Sequence, residues 1–357
     1  MVGRQKVLPG VIKPSIFYYD KSNVYLNRLD AVRSNNPCSF YYHDDVFASL
    51  DWSKEPTESL SEVYRQRAQQ IRDDYDHVVI CYSGGIDSTN ILETFYYNNI
   101  HIDEILVVGA ISQDSVSGSD ENHNGDLYHN VFPTLNSMDL SRTKISIVDY
   151  TTYFRDVNNF SLVKQYGHEF VEHIGIRTSV HNLFWYDMDK FLSHSRKTAY
   201  VMGKEKPILK YNGLVGKYYA AFHDISYTDY GNRYEYGDGR RINFYSEPGA
   251  FKVMLKQYYM IKERHQYMLS KPDKEGVDIF GSYIENIKGI IYNLRNPLVH
   301  RSLKSKSTYL SARDMFMVNS TGSEIYNLYA AGIRKINDSN VDVAKKVVFE
   351  SRAYYLD

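Results

Sequence analysis

The chain has 357 residues, which is enough to bury a substantial core in one large domain or two. Its 42 basic and 43 acidic side chains leave a net charge of −1, so charge does not indicate a nucleic-acid partner. Two cysteines, Cys38 and Cys81, supply neither a disulfide framework nor a set of metal ligands. No run approaches the roughly 18 apolar residues of a membrane span, and no apolar signal segment is present. We therefore expect a cytoplasmic protein without a membrane partner.

The N-terminal part of the chain shows little periodicity. Residues 16–19 and 39–42 are apolar and aromatic, and they predict short strands in a β-containing lead-in over residues 1–56. A helix with one apolar face is predicted next, beginning at Thr57 or Ser59. Three arginines of this helix could reach a phosphate, although helix arginines more often face solvent: Arg65, Arg67 and Arg72.

A strand, a glycine-rich loop and a helix follow one another over residues 77–99. Residues 78–82 form a short apolar run, as in a strand buried on both faces. From about Asp87 the apolar residues recur at helical spacing, which predicts a helix that ends near Asn98. In this arrangement, backbone N–H groups and the positive end of a helix dipole converge on an anion.

The loop between this strand and this helix has the sequence Ser-Gly-Gly-Ile-Asp-Ser. Its glycines let the backbone approach an anion closely, and its two serine hydroxyls can add hydrogen-bond donors. A carboxylate would repel a phosphate unless a Mg²⁺ ion lay between them, so Asp87 is predicted to be a metal ligand and a catalytic residue. The residues predicted to bind a phosphate chain are Ser83, Gly84, Gly85, Ile86, Asp87 and Ser88.

This hexapeptide resembles the SGGxDS loop of the PP-loop ATP pyrophosphatases, the adenine nucleotide alpha hydrolase superfamily that includes asparagine synthetase and GMP synthetase. All six positions fit the motif. The resemblance implies cleavage of ATP between its α and β phosphates, adenylation of an acceptor oxygen, and displacement of AMP by a nitrogen or sulfur nucleophile. A Walker A loop and a dinucleotide fingerprint do not match, because no Gly-Lys-Ser/Thr follows and the third glycine is missing. The alternative interpretation is an ordinary strand–helix turn.

Three more buried strands are predicted at residues 104–110, 144–149 and 198–203, with helical segments between them at about 125–139, 151–166 and 168–194. This alternation is typical of an α/β protein with a doubly wound parallel sheet. The strand at 78–82 would be central, and the resemblance implies the strand order 3-2-1-4. Ligands of such sheets bind beyond the carboxyl ends of the strands, where the strand order switches.

Two other strand ends carry candidate residues. Gly109 and Ala110 follow the second strand, where small residues would let an adenine pack against the backbone or would simply form a turn. After the fourth strand, Lys204 (as a catalytic residue) and Lys206 could neutralise phosphate charge as pyrophosphate leaves, and Glu205 could share Mg²⁺ with the loop aspartate. A solvated charged turn is the alternative for these three residues.

The remaining chain is predicted to be mostly helical. Residues 211–246 are rich in Gly, Tyr and Asp and predict irregular structure or a hairpin, with a turn at residues 238–241. A strong helix is predicted from about residue 250 to 269 and a second from about 281 to 294. The predicted parts are a lead-in at 1–56, a PP-loop nucleotide-binding domain at 57–210 and a helical substrate or cap region at 211–357.

These patterns predict an ATP-dependent adenylating synthetase that activates a carboxylate or carbonyl oxygen of a small molecule or nucleobase. Glutamine-dependent members of the resembled family often begin with a cysteine after Met, whereas residue 2 here is Val2. We therefore expect free ammonia, an amine, or nitrogen delivered by another subunit. The 34 tyrosines suggest AT-rich codon usage, as in many phage genomes, which would place the protein in a host cytoplasm. The alternative is a non-catalytic adenine-nucleotide-binding module that acts as a sensor or assembly component.

Overall fold

The fold is described from a computed structural model of the chain. The residues that it describes are 16–26, 28–34, 36–109, 127–149, 153, 156–174, 183, 187, 197–203, 208–224, 239–269, 324–338 and 349–356. The strands are β1 (Ile16–Tyr19), β2 (Val24–Tyr25), β3 (Ser39–Tyr42), β4 (His77–Cys81), β5 (Glu104–Gly109), β6 (Lys144–Asp149), β7 (Thr198–Met202), β8 (Ile208–Asn212), β9 (Lys217–Ala221), β10 (Gly239–Asn243) and β11 (Tyr354–Tyr355).

The α-helices are α1 (Arg28–Arg33), α2 (Asp44–Ala48), α3 (Leu60–Asp74), α4 (Ile86–Tyr97), α5 (Phe132–Asn136), α6 (Ser161–Tyr166), α7 (Val171–Ile174), α8 (Phe251–Leu269) and α9 (Glu324–Asp338). Single turns of 3₁₀ or π helix span Leu127–Val131, Val157–Asn159, Gly167–Phe170 and Pro248–Ala250. Among the helices described, none combines the length and the apolar character that a membrane span requires.

A five-stranded parallel sheet forms the centre of the molecule, in the order β10-β7-β4-β5-β6. The predicted α/β class with a parallel sheet is therefore confirmed. The carboxyl ends of three neighbouring strands are level, because Met202 pairs with Cys81 on one side and with Asn243 on the other. The loops that follow these three strands consequently lie side by side at one edge of the sheet.

Strand β4 is buried on both faces of the sheet, as its apolar run predicts. Val78 and Ile80 belong to the main core, to which α3, α4 and α8 contribute apolar residues. Val79 and Cys81 belong to a cluster on the opposite face. Alternate residues of a strand point to opposite faces, so a strand between two packed layers requires an unbroken apolar sequence.

The helices that flank β4 begin where the sequence predicts. Ser59 precedes α3 and its hydroxyl accepts a hydrogen bond from the backbone N–H of Glu62 at 3.2 Å, which is an N-cap. Helix α4 starts directly after the glycine-rich loop and ends at Tyr97, before Asn99 adopts a positive φ of 56°. The predicted helix around residues 250–269 is confirmed as α8.

Two smaller antiparallel sheets lie outside the central one. In the first, β1 pairs with β2 and β3, which confirms the strands predicted at residues 16–19 and 39–42. In the second, β8 and β9 form a hairpin that pairs with β11 near the C-terminus. The first sheet is joined to the rest of the chain by a hydrogen bond from the Tyr42 hydroxyl to the Ser246 carbonyl, at 2.6 Å.

The prediction of a turn at residues 238–241 is wrong for Gly239, Arg240 and Arg241, which are the first three residues of β10. Polar Arg241 and Asn243 alternate with apolar Ile242, which is a strand pattern, and all three residues are buried. The strand was not predicted because Gly and Arg are uncommon in buried strands. It lies at an edge of the sheet, where one neighbour suffices.

The segments predicted to be helical between the central strands are confirmed in part. Where a helix is predicted from about residue 125 to 139, a π turn and α5 span residues 127–136, and residues 137–139 are not helical. The break between the segments predicted at 151–166 and 168–194 is confirmed, because α6 ends at Tyr166 and Gly167, with a φ of 54°, begins the 3₁₀ turn before α7. The helix predicted at 281–294 lies outside the described residues.

Candidate functional site

The Ser-Gly-Gly-Ile-Asp-Ser sequence forms a tight turn between the carboxyl end of β4 and the start of α4. Gly84 has a φ of 75°, a left-handed conformation that glycine adopts without steric cost. Gly85 is the N-cap of α4 in an extended conformation, and the Thr89 N–H donates to the Gly85 carbonyl at 2.9 Å. The N–H groups before Thr89 therefore precede the hydrogen-bond ladder of the helix and point towards its start. This confirms the predicted strand, loop and helix arrangement.

The hydroxyl groups of the turn are linked to one another. The Gly85 N–H donates to Ser83 Oγ at 3.4 Å, and Ser83 Oγ lies 3.1 Å from Ser88 Oγ. Ser88 Oγ in turn donates to the Gly85 carbonyl at 3.1 Å and accepts from the Ser83 N–H at 3.2 Å. Ser88 is buried whereas Ser83 is exposed. Ser88 therefore braces the turn from inside, and Ser83 is the hydroxyl that a ligand can reach.

Asp87 is half-buried in the first turn of α4. The neighbouring strand β7 ends at Met202, and the next residue, Gly203, packs against this turn of the helix. A Cβ atom placed on Gly203 would lie 2.8 Å from the Ser88 nitrogen and 2.9 Å from the Asp87 carbonyl carbon. Only a glycine can bring the backbone this close to the start of α4. Gly203 was not predicted to belong to the site, although its position at the end of a predicted strand was a usable signal.

A second loop reaches the same turn from the end of β10. The Tyr245 hydroxyl donates to the Asp87 carbonyl at 2.8 Å and accepts from Asn90 Nδ2 at 2.9 Å. Tyr245 itself is fully buried. Tyr245 was not predicted to belong to the site, because residues 211–246 were interpreted as irregular structure or a hairpin.

The loop after β10 is held by a buried ion pair. A guanidinium nitrogen of Arg67, on α3, contacts the carboxylate of Glu247, and the side chains are 4% and 10% exposed. The other carboxylate oxygen of Glu247 accepts from the Asn243 N–H at 3.3 Å. The possibility that Arg67 reaches a phosphate is therefore not supported, because its charge is already balanced within the core.

The other two arginines of α3 also pair with carboxylates. Arg65 contacts Glu62 on the solvent side of the helix, and Arg72 contacts Asp103, which precedes β5. Asp103 also accepts from the Val78 N–H at 2.8 Å, so this pair fastens α3 to the amino end of β4. Asp103 has a lowered pKa; burial is the largest influence and opposes the shift, but the hydrogen bond from Arg72 is the principal cause of the lowering.

At the end of β5, Gly109 has a packing role. A Cβ atom at this position would lie 2.9 Å from Leu127 Cδ1. Leu127 is buried and belongs to the main core. This contact is a sufficient reason for a glycine here, and the expected contact of Gly109 with adenine stays a prediction. The other predicted site residues, Ala110, Lys204, Glu205 and Lys206, lie outside the described residues.

The Cys81 thiol, at the end of β4, is not suited to act as a nucleophile. Burial raises the pKa of the Cys81 thiol to about 12, so the thiol stays protonated near neutral pH. Among the described residues, no group of three or more His, Cys, Asp or Glu side chains is placed to hold a metal ion. Asp87 is instead a single carboxylate in the turn at residues 83–88. This suits Mg²⁺, which commonly takes one or two protein carboxylates together with substrate phosphates.

The site is thus a turn with donors at a helix start, bounded by Gly203 on one side and by Tyr245 behind it. Comparisons of the chain with family models, with curated proteins and with solved structures find no match. The function of the protein is therefore inferred from this geometry.

Proposed function

We propose that the protein is an ATP-dependent adenylating synthetase of the PP-loop type, which releases AMP and pyrophosphate. The observation that carries the proposal is the turn at residues 83–88, between the middle strand of a parallel sheet and a helix N-terminus. The left-handed Gly84 and the exposed Ser83 leave the start of the helix open to a phosphate chain.

We propose that the sheet is doubly wound, with β6-β5-β4-β7 corresponding to the order 3-2-1-4. Two observations support this proposal. Apolar residues of α3, α4 and α8 pack on one face of the sheet. Apolar residues of α6, α7 and α9 form a cluster with Val108 and Val148, whose side chains point to the other face of the sheet. The strand order changes direction at β4, which is where such sheets bind ligands.

The proposed reaction transfers an adenylyl group. The acceptor oxygen, from a carboxylate or a carbonyl, attacks the α-phosphorus of ATP, and the bond from that phosphorus to the bridging oxygen of the β-phosphate breaks. Pyrophosphate leaves with the bonding electron pair and is held by the turn. Ammonia or an amine then displaces AMP from the activated carbon and loses a proton to solvent.

The residues of this chain would bind and orient the reactants. The first-turn N–H groups of α4 and the Ser83 hydroxyl would hold the pyrophosphate portion, and Asp87 would hold Mg²⁺ together with Glu205. When bound, Mg²⁺ would neutralise part of the phosphate charge. Lys204 and Lys206 are proposed to stabilise the charge that develops on the leaving pyrophosphate.

A second candidate function is a binding module that holds an adenine nucleotide without turnover. One observation favours it: the Ser88 hydroxyl is used within the turn, so backbone donors and one exposed hydroxyl remain for the ligand. Such donors are sufficient for binding an anion. Asp87 favours the enzyme, because binding alone does not need a carboxylate beside phosphates.

Product analysis distinguishes these possibilities. The protein is incubated with Mg²⁺ and ATP labelled in the α-phosphate, in the presence of panels of carboxylate, nucleobase and amine acceptors. We expect labelled AMP and unlabelled pyrophosphate, and exchange of labelled pyrophosphate into ATP when an acceptor is present. Labelled ADP as the only product would contradict the proposal. Tight ATP binding with no product from any acceptor would favour the binding module.

A further inference from the structure

The loop at residues 244–249 follows β10. Its anchoring contacts are independent of the turn at residues 83–88, which we call the anion-binding turn. Its Ser246 carbonyl accepts from the Tyr42 hydroxyl at 2.6 Å, and its Glu247 carboxylate forms the buried pair with Arg67. A Cβ atom on Gly249 would lie 2.8 Å from Arg67 Nη1, so the loop packs closely on that guanidinium. Contacts to the N-terminal sheet and to α3 therefore hold this loop in place.

From this loop, Tyr245 reaches the first turn of α4. Its ring packs against those of Tyr64 and Phe244, with centroid distances of 6.0 and 5.1 Å. Its hydroxyl donates to the Asp87 carbonyl and accepts from Asn90 Nδ2, at 2.8 and 2.9 Å. The phenol is therefore oriented by the core, and both of these hydrogen bonds go to α4.

The Asp87 carbonyl belongs to the same peptide unit as the Ser88 N–H. Because a peptide unit is planar, a hydrogen bond that orients the carbonyl also orients the N–H. Gly203 packs against the same unit, close to both the Ser88 nitrogen and the Asp87 carbonyl carbon. The peptide unit is thus held between the tyrosine hydroxyl and the end of β7.

We propose that Tyr245 is a positioning residue for the anion-binding turn. It sets the orientation of the Asp87–Ser88 peptide unit, and with it the N–H donors and the carboxylate that face the phosphate chain. This inference rests on the proposed function, because it assumes that the turn binds a phosphate chain. When the hydrogen-bond donors are already oriented, ligand binding costs less free energy of reorganisation.

The test compares Tyr245→Phe with Tyr354→Phe, which removes a buried hydroxyl from strand β11. The Tyr354 hydroxyl donates to Asp44 Oδ1, in α2, at 2.8 Å, and Tyr354 is similarly buried. The probe is inorganic pyrophosphate with Mg²⁺, titrated calorimetrically, and melting temperatures report any general loss of stability. We expect Tyr245→Phe to raise the Kd of pyrophosphate about threefold to tenfold, the effect of one or two lost hydrogen bonds. Tyr354→Phe is expected to change the Kd by less than about twofold at a similar loss in melting temperature.

The outcomes separate this inference from the proposed function. If the wild-type protein binds neither pyrophosphate nor ATP, the proposed function fails, and the positioning role fails with it. If the wild type binds pyrophosphate and folded Tyr245→Phe binds it equally well, only the positioning role is overturned. A similar rise in Kd for both variants would also overturn it, because the effect would then be general to the core.

A second variant keeps the test decisive if Tyr245→Phe does not fold. Asn90→Leu removes the donor to the Tyr245 hydroxyl while keeping a side chain of similar shape. We expect it to raise the Kd of pyrophosphate at least twofold, because the phenol loses one of the groups that orient it. An unchanged Kd in folded Asn90→Leu would contradict the positioning role.

Discussion

Two loops at the same edge of the central sheet differ in almost every physical respect. The turn after β4 is short and glycine-rich, and its Ser83 and Gly85 are exposed. The loop after β10 contains the buried Tyr245 and Glu247 and contacts α3, α4 and the N-terminal sheet. The first loop offers donors to a ligand, whereas in the second the Tyr245 hydroxyl and the Glu247 carboxylate are occupied by the protein.

This difference shows how contacts from other parts of the chain can hold a glycine-rich turn in one conformation. A glycine-rich turn gives its donors access to an anion, but glycine also permits many other conformations. The hydrogen bond from Tyr245 and the close packing of Gly203 limit those conformations from outside the motif. In a site that must be preorganised, supporting residues matter as much as the residues that touch the ligand.

The largest effect on stability is expected from Glu247→Ala, which removes one partner of the buried pair. The Arg67 guanidinium would stay in the core without its counter-ion, which costs about 3–5 kcal/mol in typical proteins. Urea unfolding followed by circular dichroism measures the free energy of unfolding.

Glu62→Ala is the matched control for Glu247→Ala. It breaks the Arg–Glu pair on the solvent side of the same helix, where Arg65 stays hydrated. We expect a much smaller shift of its unfolding midpoint than for Glu247→Ala. Equal effects of the two variants would show that the loop after β10 does not depend on its buried charge pair.

A smaller effect is expected from Gly203→Ala. The added methyl group would lie less than 3 Å from backbone atoms of Asp87 and Ser88, which cannot move as a flexible side chain can. Overpacking of this kind costs about 1–3 kcal/mol, and the shifted helix start should also weaken pyrophosphate binding.

Gly213→Ala, in the turn between β8 and β9, is the control for Gly203→Ala because a Cβ atom there meets nothing within 4 Å. It should leave both the stability and the affinity for pyrophosphate nearly unchanged. Wild-type affinity in Gly203→Ala would show that β7 does not constrain the turn.

The smallest effect on stability, but a large one on turnover, is expected from Asp87→Asn. A carboxylate in the first turn of a helix contributes at most about 1 kcal/mol through the helix dipole. Loss of the proposed Mg²⁺ ligand should lower the rate of AMP formation on the order of 10²–10³-fold. The measurement is AMP formation across a range of Mg²⁺ concentrations.

Glu62→Gln is the control for Asp87→Asn, because it neutralises an acidic residue in the first turn of α3. It should retain wild-type turnover. Full activity of Asp87→Asn would mean that the aspartate only stabilises the helix start, and the binding-module alternative would gain support.

Residues close together in sequence were predicted well. The apolar run at 78–82, the two glycines and the helical spacing after Asp87 are neighbours in the chain, and they predict a strand, a turn and a helix directly. Gly84 has the left-handed conformation that such a turn requires. The antiparallel pair of β1 and β3 follows from equally local aromatic runs.

The sequence by itself therefore determined the strand, the glycine-rich turn and the start of the helix, because backbone preferences and side-chain periodicity act over a few residues. Only the tertiary structure decided that β10 joins the central sheet, that Arg67 pairs with Glu247 across 180 positions, and that Tyr245 bonds to Asp87 across 158. Such contacts leave no local pattern, because each partner taken alone has the sequence context of an ordinary helix or loop. They form only when the sheet brings the ends of β4, β7 and β10 to one edge.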